Sequence, residues 1–302
     1  MVVPTVFQET ALTTTVSTAS ADPYEAAIQR LAAFSDGDAG GNPAGVWLGE
    51  RLPPDAEMQR LARAVGYSET AFAAPAAGGG WRVRYFAPEI EVPFCGHATI
   101  ALGAALARAH GDGVYPLVLN AGSITVEGRR DGALVAAALQ SPPTRSRPAD
   151  PALVRAALDL FGYADADLDP RLPPGWAHAG ADHLVLGLAG RARLAAMRYD
   201  LDAGRALMLA HGLATIVLAW AETPQRFHTR NPFAAGGVYE DPATGAGTAA
   251  LAGYLRDLGW PHGGAIDVVQ GEDMGMRSCL HAAIPAAAGT SIRVAGTARA
   301  LC

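Results

Sequence analysis

The sequence predicts a mixed α/β (α+β) protein built in two halves, and three observations carry that prediction. Short alternating or apolar runs of strand type and longer helical runs are interspersed along the whole 302 residues rather than segregated. A tight glycine turn followed by an uncharged helix of small and apolar residues occurs at residues 94–106 and again at 244–255. The two copies match at Gly96/Gly245, Thr99/Thr248, Ala101/Ala250, Leu102/Leu251 and Leu106/Leu255, and they stand 149 residues apart (245 − 96), close to half the chain. Ala, Gly and Leu are abundant here, so the matches taken alone fit chance as well as duplication.

Composition narrows the classes. Half the residues are hydrophobic and 17% are charged, the balance of an ordinary globular chain, and the length suits two domains of about 150 residues. A formal charge of −6 with no Lys/Arg run argues against nucleic acid as a partner. Cys95, Cys279 and Cys302 are too few and too scattered for a disulfide framework or a zinc site, and Cys302 reads as a bystander. The apolar run at 100–109 is about half of a membrane span, so no membrane partner is expected. No P-loop, dinucleotide fingerprint or metal-ligand triplet appears, so neither metal nor cofactor is expected.

In chain order, residues 1–22 read as a flexible extension without a secretory pattern. Residues 24–34 and 44–48 read as two strands around an Asp/Gly/Asn/Pro turn, although 24–34 could also pass for a helix. Residues 53–65 are helical, with Pro at the start and Met58, Leu61, Ala62 and Val65 on one stripe. Residues 67–74 and 81–86 read as strands, as do 117–126 and 133–139. Residues 140–151 are the linker between an N-terminal domain (23–140) and a C-terminal one (152–302). Beyond it, helices are expected at 152–161 and 203–211 and strands at 183–188, 215–219 and 226–233; 270–276 and 291–294 finish the domain.

Two places carry chemistry. Alternation over 67–74 puts Glu69 on a face with Tyr67, Ala71 and Ala73, an acid in an otherwise uncharged segment. That is either a solvated strand face or cap, or a carboxylate in an apolar pocket able to carry a proton near neutral pH. The turn Cys95-Gly96-His97 opens a buried helix, so unpaired N–H groups and a positive dipole end converge beside a His and a Cys. Arg84 and Arg230 stand upstream of the two turns and read as substrate partners or as solvated strand arginines. The His residues at 110, 178, 183, 211, 228, 262 and 281 are scattered and receive no role.

Taken together, Gly41-Asn42-Pro43-Ala44, Ser68-Glu69-Thr70-Ala71-Phe72, Arg84-Tyr85-Phe86-Ala87-Pro88, Pro93-Phe94-Cys95-Gly96-His97-Ala98-Thr99, Glu240-Asp241-Pro242-Ala243-Thr244-Gly245 and Gln270-Gly271-Glu272-Asp273-Met274-Gly275 resemble the phenazine-biosynthesis isomerase (PhzF-like) family, in that family's order. The resemblance implies a diaminopimelate-epimerase-like fold: two pseudo-symmetric domains, each a mixed sheet around a central helix, with the last segment returning to the first domain. It implies a cofactor-independent isomerase or epimerase, a cytoplasmic homodimer acting on a small carboxylate-bearing substrate in the cleft between domains. Glu69 corresponds to the family's proton-transferring glutamate, and His97 and Asp241 to residues assisting it. Gly96, Thr99, Gly245, Ala246, Gly247 and Cys95 would contact the substrate. Ala246 stands where many members have Ser. The epimerase relatives carry a cysteine on each turn, whereas here Cys95 faces Thr244 at the second position. The competing expectations are a Cys95-assisted racemase and a binding protein for carboxylate metabolites.

Overall fold

The computed structural model describes residues 23–120, 122–132 and 134–301; the expectations for residues 1–22 and for Cys302 lie outside them. In the first half a helical turn α1 (Pro23–Ala26) leads to β1 (Gln29–Ser35), β2 (Asn42–Leu48), helix α2 (Asp55–Val65), β3 (Thr70–Pro75), β4 (Trp81–Phe86), β5 (Glu91–Val92), helix α3 (Gly96–His110), β6 (Gly113–Leu119), β7 (Gly122–Asp131) and β8 (Leu134–Gln140). The second half runs β9 (Arg145–Pro148), α4 (Pro151–Phe161), β10 (Gly175–His178), β11 (Asp182–Gly187), α5 (Arg191–Ala195), α6 (Leu201–Ala210), β12 (Thr215–Thr223), β13 (Arg226–Phe233), β14 (Val238–Asp241), α7 (Gly245–Leu258), β15 (Ala265–Gln270), β16 (Ser278–Ala283) and β17 (Arg293–Ala300).

The first half closes on itself. Strands β1–β2–β3–β4–β6–β7–β8–β17 pair in that order, and β17 pairs back onto β1. Helix α3 runs inside this ring, which is why residues 97–107 are buried all round and the helix needs no polar face. Two glycines permit the close fit. A Cβ on Gly103 would lie 2.5 Å from Val126, and one on Gly128 would lie 2.4 Å from the carbonyl oxygen of Gly103.

The second half repeats the plan around α7, whose residues 247–256 are buried in the same way. Its strands pair β9–β10–β11–β12–β13–β15–β16–β17. The sequence of senses from β10 onward (antiparallel, parallel, antiparallel, parallel, antiparallel, antiparallel) is that of β1 onward in the first ring. Backbone N–H groups of Ser141 and Thr144 donate to the carbonyls of Ile292 (2.8 Å) and Thr290 (3.4 Å), joining the two ends of this second set. The repeated order of senses is a far more specific sign of duplication than five matched residues. Strand β17 serves both rings.

Several expected boundaries move. Residues 24–34 divide into a helical turn and β1 rather than forming one element. Residues 117–126 are the two arms of a hairpin, β6 and β7. Residues 145–148, expected within the linker, are β9, whose main chain pairs with β10. The strand expected from Tyr67 starts at Thr70, because its pairing with β2 starts at the Gly45–Thr70 register; Glu69 therefore precedes the strand instead of sharing a strand face.

Candidate active site

Helices α3 and α7 meet end to end at their N-termini: a Cβ on Gly96 would lie 3.8 Å from the Cα of Gly245. Neither N-cap residue, Cys95 or Thr244, caps its helix with its side chain, and neither first turn holds an acid. Both positive helix ends are thus left to act on whatever lies between them. Beside them is a cavity of about 210 Å³. The first ring lines it with Ser68, Glu69, Phe94, Cys95, Gly96 and His97, the second with Ala181, His183, Ala214, Thr215, Phe233, Val238 and residues 241–246.

Glu69, His97 and Asp241, far apart in sequence, are brought together here. His97 is buried, and its Nε2 lies 3.4 Å from a Glu69 carboxylate oxygen and 3.3 Å from the Ser68 hydroxyl. Its Nδ1 lies 3.3 Å from the Cys95 sulfur. Burial, and then the nearby Glu69 charge, push the Cys95 thiol well above its ordinary pKa, so it stays S–H at neutral pH. His97 thus stands between the two groups, Nδ1 toward the Cys95 sulfur and Nε2 toward Glu69.

Asp241 hangs from both halves. One oxygen accepts from Asn42 Nδ2 of the first ring at 2.7 Å, and the other accepts from the Thr244 hydroxyl at 2.6 Å. Asn42 also donates to the Ala243 carbonyl, and Gln270 donates to the Asp241 carbonyl and to Thr244 Oγ1. Burial raises the Asp241 pKa; the His97 charge and the Thr244 and Asn42 hydrogen bonds work against that.

Of the expected contact residues, Cys95, Gly96, Gly245 and Ala246 line the cavity. Thr99 and Gly247 do not. The Thr99 hydroxyl is spent on the Cys95 carbonyl (2.7 Å) and on the buried Tyr85 hydroxyl (2.7 Å), which braces the turn from behind. Gly247 is packed against Asn231, whose Nδ2 would lie 2.6 Å from an added Cβ. Arg84 and Arg230 are also committed elsewhere, Arg84 to Glu91 and Asp55 and Arg230 to Glu240. Sequence reasoning passed over Asn42, Thr244, Gln270 and His183. The first three sit in quoted motifs; His183 opens an apolar strand and was one of the scattered histidines given no role.

Among the described residues, Glu69, Cys95 and His97 form a group whose ligand atoms lie within 4.8 Å of one another, a triplet that sequence spacing concealed. The geometry is open to a metal ion, but a thiol held protonated opposes it. No helix among the described residues is long and apolar enough to cross a membrane.

Two strand rings, each threaded by a buried helix, with an acid-bearing cavity where the helix ends meet, define a protein of diaminopimelate-epimerase-like fold. Residues 31–302 match the phenazine biosynthesis-like protein family. The trans-2,3-dihydro-3-hydroxyanthranilate isomerase of Pseudomonas fluorescens is 33% identical over 258 residues, covering 83% of this chain and 87% of that one. The uncharacterized isomerase YddE of Escherichia coli O157:H7 is 30% identical, covering 81% and 84%. The predicted epimerase PA4716 from Pseudomonas aeruginosa superposes with a TM-score of 0.78 at 25% identity, over 91% of this chain and 96% of that one. A probable proline racemase from Agrobacterium radiobacter K84 shares the fold at a TM-score of 0.59 and 14% identity, over 91% and 90%. This chain belongs to the phenazine biosynthesis-like family, and it is an isomerase.

Proposed function

We propose that the protein moves a proton between carbons of a small carboxylate-bearing metabolite in the cavity between the two rings, with Glu69 as acid and base. The observation that carries this is one half-buried carboxylate, beside a buried histidine, facing two helix N-termini left uncapped by side chains. On this reading the substrate carboxylate lies against the first-turn amides at Gly96 and at Gly245 and Ala246. Glu69 takes a proton from carbon, breaking the C–H bond. The electron pair moves into the neighbouring unsaturation, and the proton carried by Glu69 is returned to a different carbon. The shift is redox-neutral and balances without a co-reactant. His97, with Nε2 toward Glu69, holds that carboxylate in place. Asp241, fixed from both rings, orients the substrate. The two rings would be the two domains, meeting at residues 141–144 with β17 in common.

A thiol-based racemase is disfavoured by the same geometry. The Cys95 thiol is held protonated, and Thr244 occupies the equivalent position on α7. Trans-2,3-dihydro-3-hydroxyanthranilate, for which the Pseudomonas relatives are named, is the first substrate to try. Incubation in deuterium oxide should give an isomerised product labelled at one carbon. Activity that survives Glu69→Gln unchanged would overturn the assignment, and binding without any exchange would make the protein a metabolite-binding one.

A further inference from the structure

His183 is 1% exposed, lines the cavity on the second-ring side and belongs to none of the interactions invoked above. Its Nδ1 lies 2.8 Å from the Thr215 hydroxyl, and its Nε2 has no partner among the described residues. A buried ring nitrogen left without a partner costs about 1–3 kcal/mol, so its persistence needs a reason.

The hydrogen-bond accounting points to a direction for the pair. The Thr215 hydroxyl has one observed partner, His183 Nδ1, so its proton has one place to go. If Thr215 donates to Nδ1, the single proton of a neutral imidazole sits on Nε2. Burial holds the His183 pKa down to about 4, which keeps the ring neutral under ordinary conditions. The same wall carries the apolar Ala181, Ala214, Phe233 and Val238, besides Thr215, Asp241 and Thr244.

We propose that His183, fixed in its Nε2–H tautomer by Thr215, is a specificity-determining residue that donates a hydrogen bond to a second acceptor on the substrate, a hydroxyl or carbonyl oxygen remote from the carboxylate. This rests on the reading of the cavity as a carboxylate site. A neutral N–H donor without a protein partner among the described residues favours a substrate bearing that oxygen and discriminates against one lacking it, since the donor then stays unpaired. It does so without protonating the substrate or adding charge that would compete with the helix ends.

Two measurements on the full chain test it. With histidine labelled in nitrogen-15, the His183 ring should report the Nε2–H tautomer; an Nδ1–H tautomer overturns the proposal. In calorimetry, the wild-type protein should bind 3-hydroxybenzoate about tenfold more tightly than benzoate. His183→Phe should abolish that preference while leaving benzoate affinity within about twofold, and His183→Gln, which keeps an N–H donor, should restore part of it. No preference in the wild type, or equal loss for both acids in His183→Phe, overturns the proposal. Thr215→Val, which frees the tautomer without touching the imidazole, should weaken the preference even if His183→Phe folds poorly. Failure of the parent reading looks different: Glu69→Gln would retain proton exchange whatever the two acids do.

Discussion

The two rings share a plan and differ in what they bring to the cavity. At equivalent registers of the parallel strand pairs, Gly45 faces Thr70 in the first ring and His183 faces Thr215 in the second. The residue before that threonine is Glu69 in the first and Ala214 in the second. After the strands, the helix-opening turns read Cys95-Gly96-His97 and Thr244-Gly245-Ala246. The first ring therefore brings Glu69, Cys95 and His97 to the cavity, and the second brings Asp241, His183, Thr215 and Thr244 together with apolar surface. Duplication provides two facing helix ends; on the proposed reading, divergence at these four positions makes one side reactive and the other selective.

The strongest challenge to this division of labour is Glu69→Gln. It should lower turnover by about 10²–10⁴, the contribution of a positioned acid/base; a loss under about tenfold in steady-state rates would mean that another group, such as the Asp241 carboxyl across the cavity, carries the proton. Next comes a pair of structural variants. Each ring carries an arginine on the strand before its turn, bound to a glutamate on the next strand: Arg84–Glu91 at 2.6 Å, partly exposed, and Arg230–Glu240 at 2.5 Å, buried. Glu240→Gln should destabilise by about 3–5 kcal/mol, since it strands a buried guanidinium. Glu91→Gln should cost under about 1 kcal/mol, since that pair is screened by water. Urea midpoints of the two variants decide whether burial or mere pairing sets the difference.

Packing gives a smaller test. Gly103→Ala should cost about 1–3 kcal/mol through overpacking against Val126, with activity retained in the folded fraction. An unchanged melting temperature would show that the first ring is looser than its helix contacts imply.

Acid–base linkage sharpens the comparison further. Asp241 has a raised pKa, so the fold favours its protonated form, and its contribution to stability falls as pH rises past the ordinary 3.8 and through the folded value. His183 has a lowered pKa of about 4, so its contribution is complete above its ordinary 6.5 and is lost as pH falls toward 4. Melting temperatures across pH should show Asp241→Asn gaining on the wild type as pH rises. His183→Phe should flatten the acid limb between about pH 6.5 and about pH 4.

The smallest effect belongs to Cys95. Cys95→Ser should keep most activity, and Cys95→Ala should lose no more than about tenfold, the worth of one weak hydrogen bond to His97. Rapid inactivation by iodoacetamide in step with Cys95 modification would instead make the thiol reactive.

Much of this was legible in the sequence because it is local. Turn, cap and helix at 94–106 and 244–255 are consecutive residues, and Glu69 stood out as the one charge in an uncharged run. What lay hidden depends on strands distant along the chain. Asn42 reaches Asp241 across 199 positions. His183 gains meaning only from Thr215 beside it and the cavity in front of it. The alternation drawn through Glu69 misled because tertiary pairing, not local pattern, decides where β3 begins.

Sharing β17 between the rings also sets an order of events. Leu31 in β1 finds its partner Ala300 only 269 residues later (300 − 31). At about 5–20 residues per second of synthesis, β1 waits roughly 13–54 s with one edge unpaired. Such high contact order slows closure, and an open edge in the interval invites pairing with another nascent chain. Truncation before Arg293 would leave both rings open at once, and the first half by itself lacks the strand that closes it.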